Sequence, residues 1–179
     1  MRARVTSTSA ARQVRAVLLL PGLVTIGVPA LIVWRSGANA GFGLDPVFAV
    51  PLLVHGVLLV VGGLLLVVRT VVLFATLGEG TLAPWDATSR LVVSGPYRRV
   101  RNPMLSGVFA ILLGESLLLG SLPLLLWFGG VVLVNVVYMP LVEEPGLSRR
   151  FGEEYEVYCA NVPRWIPRIR AWHQPNPAS

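Results

Sequence analysis

The sequence predicts an all-α integral membrane protein with about four transmembrane helices. The last two form a tight antiparallel hairpin, and a C-terminal amphipathic helix follows on the cytoplasmic side. Three observations lead there. The chain has 179 residues, of which 54% are hydrophobic and only 13% charged, about half the charged share of a soluble domain. Its apolar residues gather in four runs of bilayer length or close to it. Its basic residues are all arginine, with no lysine, and they segregate to one side of those runs. The net charge of +6 raises the question of nucleic acid. Such an apolar chain has too little polar surface for a soluble binding face, so nucleic acid is not an expected partner.

The spans fall at about residues 16–34, 47–68, 103–119 and 122–142, within a single membrane domain covering 1–179. At 1.5 Å per residue they make helices of about 25 to 33 Å, close to the hydrocarbon thickness. The first run is too long for a secretory signal, and no small-residue cleavage site follows it. Pro21 and Pro29 lie inside it and should kink rather than break a membrane helix. Span two contains His55, span three Glu115 and span four Asn135. Only Gly120 and Ser121 separate spans three and four, hence the hairpin. Thr70 to Leu77 is too short to cross as a fifth span.

Fourteen of the fifteen arginines fall on the side of the termini and of the 69–102 connection, and only Arg35 falls on the other. By the positive-inside rule both termini are cytoplasmic, in the cell membrane. Polar segments therefore concentrate at the cytoplasmic mouth of the hairpin, in 78–102 and 143–168, with 169–179 as a tail. The ends 1–12 and 171–179 read as disordered.

The first polar segment is punctuated by Gly and Pro and is a shaped loop. Arg98, Arg99 and Arg101 read on charge alone as a basic collar that meets anionic headgroups. The Gly78-x-Gly80 pair lacks the context of a dinucleotide fingerprint. The second segment holds five of the nine acids between Glu143 and Glu156. Two adjacent carboxylates, Glu143 and Glu144, at the end of a span need partners, and the loop arginines are the available ones. This is either a structural ion-pair network or a pocket for a charged ligand. Leu147, Phe151, Tyr155 and Tyr158 recur at helical spacing and predict one amphipathic helix. Trp165 reads as an interfacial anchor.

Residues 78–168 resemble the isoprenylcysteine carboxyl methyltransferase family and the related phospholipid methyltransferases. That family opens a membrane helix with Arg-His-Pro-x-Tyr-x-Gly, and here the run is Arg101-Asn102-Pro103-Met104-Leu105-Ser106-Gly107. After a helical hairpin the family has Glu-Glu, then Gly-Glu-Glu-Tyr-x-x-Tyr, a Val-Pro and an Ile/Leu-Pro. Glu143-Glu144, Gly152-Glu153-Glu154-Tyr155, Tyr158, Val162-Pro163 and Ile166-Pro167 follow that order. Gly80-Thr81 and Gly95-Pro96-Tyr97-Arg98 are similar to prokaryotic members.

The resemblance implies an S-adenosylmethionine-dependent methyltransferase whose cofactor sits at the cytoplasmic end of the hairpin. A lipophilic or lipid substrate would approach from the bilayer. It implies catalytic roles for Arg101, Asn102 and Glu144. Cofactor contacts would come from Tyr97, Arg98, Arg101, Asn102, Pro103, Glu143, Glu144, Tyr155 and Tyr158, and substrate contacts from Leu105, Asn161 and Arg164. No metal is expected. Three departures bear on the acceptor. Asn102 stands where the family has His, and Asn is no general base near neutral pH. Leu105 replaces a Tyr, and Asn161 replaces an Arg of eukaryotic members. An ionised carboxylate needs no base, which favours carboxyl O-methylation of a prenylated or similar apolar acid. The alternatives are a phospholipid amine acceptor, or a scaffold or carrier that keeps the frame without the chemistry. His55 and Glu115, at similar depth toward the outer side, are expected to share a structural hydrogen bond. Asn135 is expected to donate between helices, and Cys159 is a lone reduced thiol.

Overall fold

The computed structural model describes residues 21–77 and 91–173. The expectations for 1–12, for the start of the 78–102 loop and for the last residues of the tail lie outside them. Among the described residues the chain is helical, with no strand. A π-helical turn, Leu23–Gly27, leads into α1 (Val28–Ser36). The helix α2 (Pro46–Leu77) is the longest, and α3 (Pro103–Leu119) and α4 (Leu122–Tyr138) follow. A second π-helical turn, Met139–Glu143, joins α4 to α5 (Glu144–Phe151), and α6 (Glu153–Asn161) closes the helical part.

Three stretches are long and apolar enough to cross a membrane: Leu23–Gly43, Pro46–Leu73 and Leu122–Phe151. Pro103–Leu119 is a shorter apolar helix of 17 residues. Thr70 to Leu77 simply extends α2, so the second helix runs well past the apolar boundary at residue 68. The flanks of α2 and α4 carry many exposed large apolar side chains, among them Leu58, Leu65, Leu126 and Leu133. That inversion of the usual inside-out pattern suits a lipid solvent.

The prolines act as expected of a membrane helix. Each π-helical turn lies beside or around a proline, Pro29 in the first case and Pro140 in the second. A proline has no N–H to give the carbonyl four residues back, and a wider turn accommodates that gap. The Thr25 hydroxyl also donates to the Pro21 carbonyl at 2.7 Å.

The chief partner of α3 is α2 rather than α4. Their contact is made through glycines. A Cβ on Gly63 would lie 2.6 Å from the Gly107 carbonyl oxygen, and one on Gly107 would lie 2.8 Å from that of Gly63. One on Gly114 would lie 2.7 Å from the Gly56 oxygen. Gly56 thus faces Gly114 and Gly63 faces Gly107, which makes the pair antiparallel. Both helices space their glycines by seven, so the small residues stay on one seam. Buried Ala49 and Thr70 continue that spacing on α2. By comparison α4 packs lightly on α3, and it is tied to the first span by the Trp127 indole, which donates to the Val24 carbonyl at 3.2 Å.

The single amphipathic helix expected after residue 143 is two. Gly152 adopts φ 55°, ψ −133° between α5 and α6, a region open essentially to glycine. The bend turns α6 back, so Leu147 and Phe151 of α5 pack against Tyr155, Tyr158 and Val162. Replacing Gly152 by Ala should strain this corner by about 1–3 kcal/mol. A thermal unfolding midpoint several degrees lower would show it, and an unchanged midpoint would disprove the need for glycine.

Candidate active site

The polar residues at the arginine-rich end are gathered by the chain that leaves α6. From Val162 to Trp172 it runs as a bent, non-helical strap across the segment that enters α3. Three backbone bonds pin it. The Arg101 amide donates to the Pro163 carbonyl at 2.9 Å, the Arg168 amide to the Arg99 carbonyl at 2.9 Å, and the Trp172 amide to the Arg98 carbonyl at 2.8 Å. The Arg98 side chain adds a bond from Nε to the Trp172 carbonyl at 2.8 Å. Nothing in the apolar pattern signals this pairing. Only the prolines of the strap, which forbid a helix, hint that the segment is non-helical.

Beneath the strap lies a charged cluster. Glu144, the first residue of α5, takes a two-pronged contact from Arg164, with Nε to Oε1 and Nη2 to Oε2 both at 2.6 Å. Arg101 Nη1 approaches the same Oε1 at 3.1 Å and donates to the Cys159 sulfur at 2.7 Å. Planar fork-to-carboxylate pairing is among the stronger polar contacts in proteins. The cluster is largely enclosed, with the Arg101 and Glu144 side chains only 13% and 15% exposed. Arg101 Nε is buried and has no hydrogen-bond partner among the described residues. An unmet donor on a buried guanidinium is costly.

The aromatic members form the wall. Tyr155 and Tyr158 are buried, with ring centroids 6.3 Å apart, and Trp172 lies 6.0 Å from Tyr158. The Tyr158 hydroxyl donates to the Tyr97 carbonyl at 2.7 Å. Burial first of all pushes the phenols of Tyr97, Tyr155 and Tyr158 above their ordinary values. They remain protonated, and the Tyr158 hydroxyl serves as a neutral donor.

The other residues singled out in the sequence divide. Asn102 and Pro103 sit at the first turn of α3, where Asn102 Nδ2 reaches toward the Arg164 carbonyl at 3.5 Å without capping the helix. Arg98 and Tyr158 are engaged in holding loop and strap together. Asn161 donates to the Val157 carbonyl of its own helix and accepts from Arg168 through its carbonyl. Glu143 lies within the π-helical turn next to Glu144. Leu105 is half-buried in the first turns of α3. The structure adds two residues that sequence reasoning left out of the site. Cys159 sits against Arg101, and Trp165 packs at a tilt against Phe109 with centroids 5.5 Å apart. Ser106, Phe109, Val132, Val136 and Trp165 line a groove of about 390 Å³, overwhelmingly apolar, between α3 and α4. Asn102 and the Ser106 hydroxyl, one helical turn apart and linked by a bond to the Asn102 carbonyl at 3.0 Å, span the distance from charged cluster to groove.

The intramembrane polar residues depart from expectation. His55 Nδ1 is hydrogen-bonded to the Pro51 carbonyl at 2.7 Å, and Glu115 Oε2 is buried with no hydrogen-bond partner among the described residues. Their similar depth does not bring them into a bond: the partner of His55 is the carbonyl one turn back in its own helix. Asn135 likewise donates within its helix, to Val131 at 2.8 Å.

Apolar spanning helices with an arginine–carboxylate mouth define a helical membrane protein with a polar site at one end. Comparison with known proteins sharpens this. The family model for phospholipid methyltransferase matches residues 52–154, from within α2 to the first two residues of α6, and the chain belongs to that family. It is also similar to the protein-S-isoprenylcysteine O-methyltransferase of Schizosaccharomyces pombe, with 38% identity over 79 residues. That match covers 44% of this chain and spans about a third of the relative's length, 34%. No solved structure matches the chain.

Proposed function

We propose that this protein transfers a methyl group from S-adenosylmethionine to a lipophilic acceptor at the cytoplasmic face of the cell membrane. Family membership supports the reaction class, and the name of the yeast relative supports a carboxyl acceptor. The observation that carries the reading is one juxtaposition. A charged cluster with a spare buried donor, Arg101 Nε, stands beside an apolar groove that opens along α3 and α4. A polar cofactor and a lipid-like acceptor need such neighbouring environments. In this reading all four apolar segments cross the membrane, with α3 and α4 as the hairpin and both termini cytoplasmic. The segregation of the arginines supports that orientation.

The residues fit the cofactor's demands. Arg101 has an unmet donor for its carboxylate. Tyr155, Tyr158 and Tyr97 supply aromatic surface, which attracts a sulfonium. Glu143 is the carboxylate left for the ammonium or ribose hydroxyls. Glu144 already serves two arginines, so its role is to hold Arg101 and Arg164 in place. When bound, the cofactor supplies an electrophilic methyl on a cationic sulfur. The chain's own contribution is to orient donor and acceptor and to exclude water, effects worth several kcal/mol. Asn102 contributes hydrogen bonding and removes no proton. A carboxylate acceptor arrives ionised and requires no such removal, which favours O-methylation over methylation of a protonated amine.

Calorimetry on detergent-purified protein tests the reading. S-adenosylmethionine and its demethylated product should bind wild type, and Arg101→Ala should weaken both at least tenfold. No measurable affinity in wild type would leave a non-enzymatic scaffold as the reading. A prenylated cysteine and a phosphatidylethanolamine, offered side by side with radiolabelled donor, separate the carboxyl acceptor from the phospholipid amine.

A further inference from the structure

The strap carries a feature that methyl transfer does not use. Ile166 and Ile169 are 80% and 94% exposed, the most exposed large apolar side chains among the described residues. Neither lies on a spanning helix, where exposure to lipid is expected. They sit on a segment pinned by its backbone to residues 98–101, so their outward projection is fixed rather than a matter of a loose end. From Val157 to Ser179 the sequence contains no acid, while Arg164, Arg168, Arg170 and His173 all occur there. Arg164 is taken by Glu144. Arg170 is exposed beside Ile169, as is Arg99, whose carbonyl accepts the Arg168 amide.

The depth of the strap is given by Trp165. Its ring packs at a tilt against Phe109, in the second turn of α3, and lines the groove with Val132 and Val136 of α4. Ile166 follows directly, so the strap starts at the level of the apolar helix surface. We propose that the strap is a membrane-seating element. Ile166 and Ile169 enter the acyl boundary of the leaflet on the arginine-rich side, and Arg99 and Arg170 bind its anionic phospholipid headgroups. Apolar side chains flanked by cations are the composition that such interfaces favour, through buried apolar area and attraction to anionic lipid together. A binding face for another protein of acidic character would want the cations without two bare isoleucines between them.

The test uses the full chain in lipid nanodiscs. An environment-sensitive fluorophore is attached at Ile169→Cys in a Cys159→Ala background, with Arg149→Cys, exposed on α5, as the control position. In discs of equal phosphatidylglycerol and phosphatidylcholine, nitroxide-labelled lipid should quench the label at 169 at least threefold more than the label at 149. That advantage should fall at least twofold in pure phosphatidylcholine. Quenching at 169 no greater than at 149, or the same in both lipids, overturns the proposal. Protection that grows with protein-to-lipid ratio also overturns it, in favour of a second copy of the chain. Hydrogen exchange on the unsubstituted protein gives an answer independent of the variants. Amides of 164–172 should exchange at least threefold more slowly in the anionic discs, and equal rates would refute the headgroup contact.

Discussion

A leucine at Gly107 should prevent the protein from reaching its folded state in the membrane. The backbones of α2 and α3 approach so closely at this point that even a single Cβ would sit 2.8 Å from the Gly63 carbonyl oxygen and 2.8 Å from Val67 Cγ2. That is well inside contact distance, and the obstacle is largely backbone, which cannot rotate away. The helices would have to separate over their whole length, because a second glycine pair, Gly56 with Gly114, lies two turns along the same seam. In lipid, helices are not pressed together by the hydrophobic effect, so lost close packing has no substitute. Alanine should act in the same direction by about 1–3 kcal/mol, the usual cost of overpacking, and leucine by more. The measurement is a denaturant titration in mixed micelles together with the yield of monodisperse protein. Gly130→Leu, where a Cβ would meet open space, is the control. If Gly107→Leu and Gly130→Leu behave alike, the glycine seam does not hold the pair.

Those glycines also show what was legible in the sequence and what was not. Apolar runs are read reliably because bilayer thickness imposes a length, so each expected span has a helix in the structure. The partner of each helix is a different matter. A two-residue connection between α3 and α4 suggests that they pair most closely, yet connection length says only that two helices are near one another. What decides close packing is which faces are small. The heptad spacing of Ala49, Gly56, Gly63 and Thr70 against Gly107 and Gly114 held that information, and a count of apolar residues passes over it.

At the mouth, segregated charge correctly pointed to Arg101 meeting Glu144. It did not distinguish a carboxylate waiting for a ligand from one already satisfied, since that depends on Arg164 returning along the strap from twenty residues away in sequence. Gly152 was visible as a letter but its positive φ was not, so one amphipathic helix was expected where two meet at a corner. His55 and Glu115 illustrate the same limit. Depth along a helix can be computed from rise per residue, whereas rotation about the axis and competition from a carbonyl one turn back cannot.

Removing the charge of Glu144 should cost the protein its proposed cofactor site while leaving its spanning helices folded. Glu144 is the sole carboxylate that the described residues bring into salt-bridge contact with Arg101 and Arg164. Glu144→Gln preserves shape and removes charge, leaving the enclosed Arg101 guanidinium and the partly exposed one of Arg164 without their shared counter-charge. Breaking a buried pair by deleting one partner costs about 3–5 kcal/mol. The cluster here is partly open, with Arg164 31% exposed, so solvent screening brings the expected figure to about 2–3 kcal/mol. Since Arg101 is the proposed donor to the cofactor carboxylate, part of that loss should be read as affinity, at least thirtyfold by calorimetry. Arg164→Ala should weaken binding less, because Arg101 keeps its counter-charge. The double variant Glu144→Gln, Arg164→Ala should then bind better than the sum of the single losses predicts, with a coupling of about 1–2 kcal/mol. Removing one of two repelling cations relieves what the first substitution created. Additive losses would mean that the three residues do not act as a cluster. Unchanged affinity in a folded Glu144→Gln protein would move the cofactor site elsewhere.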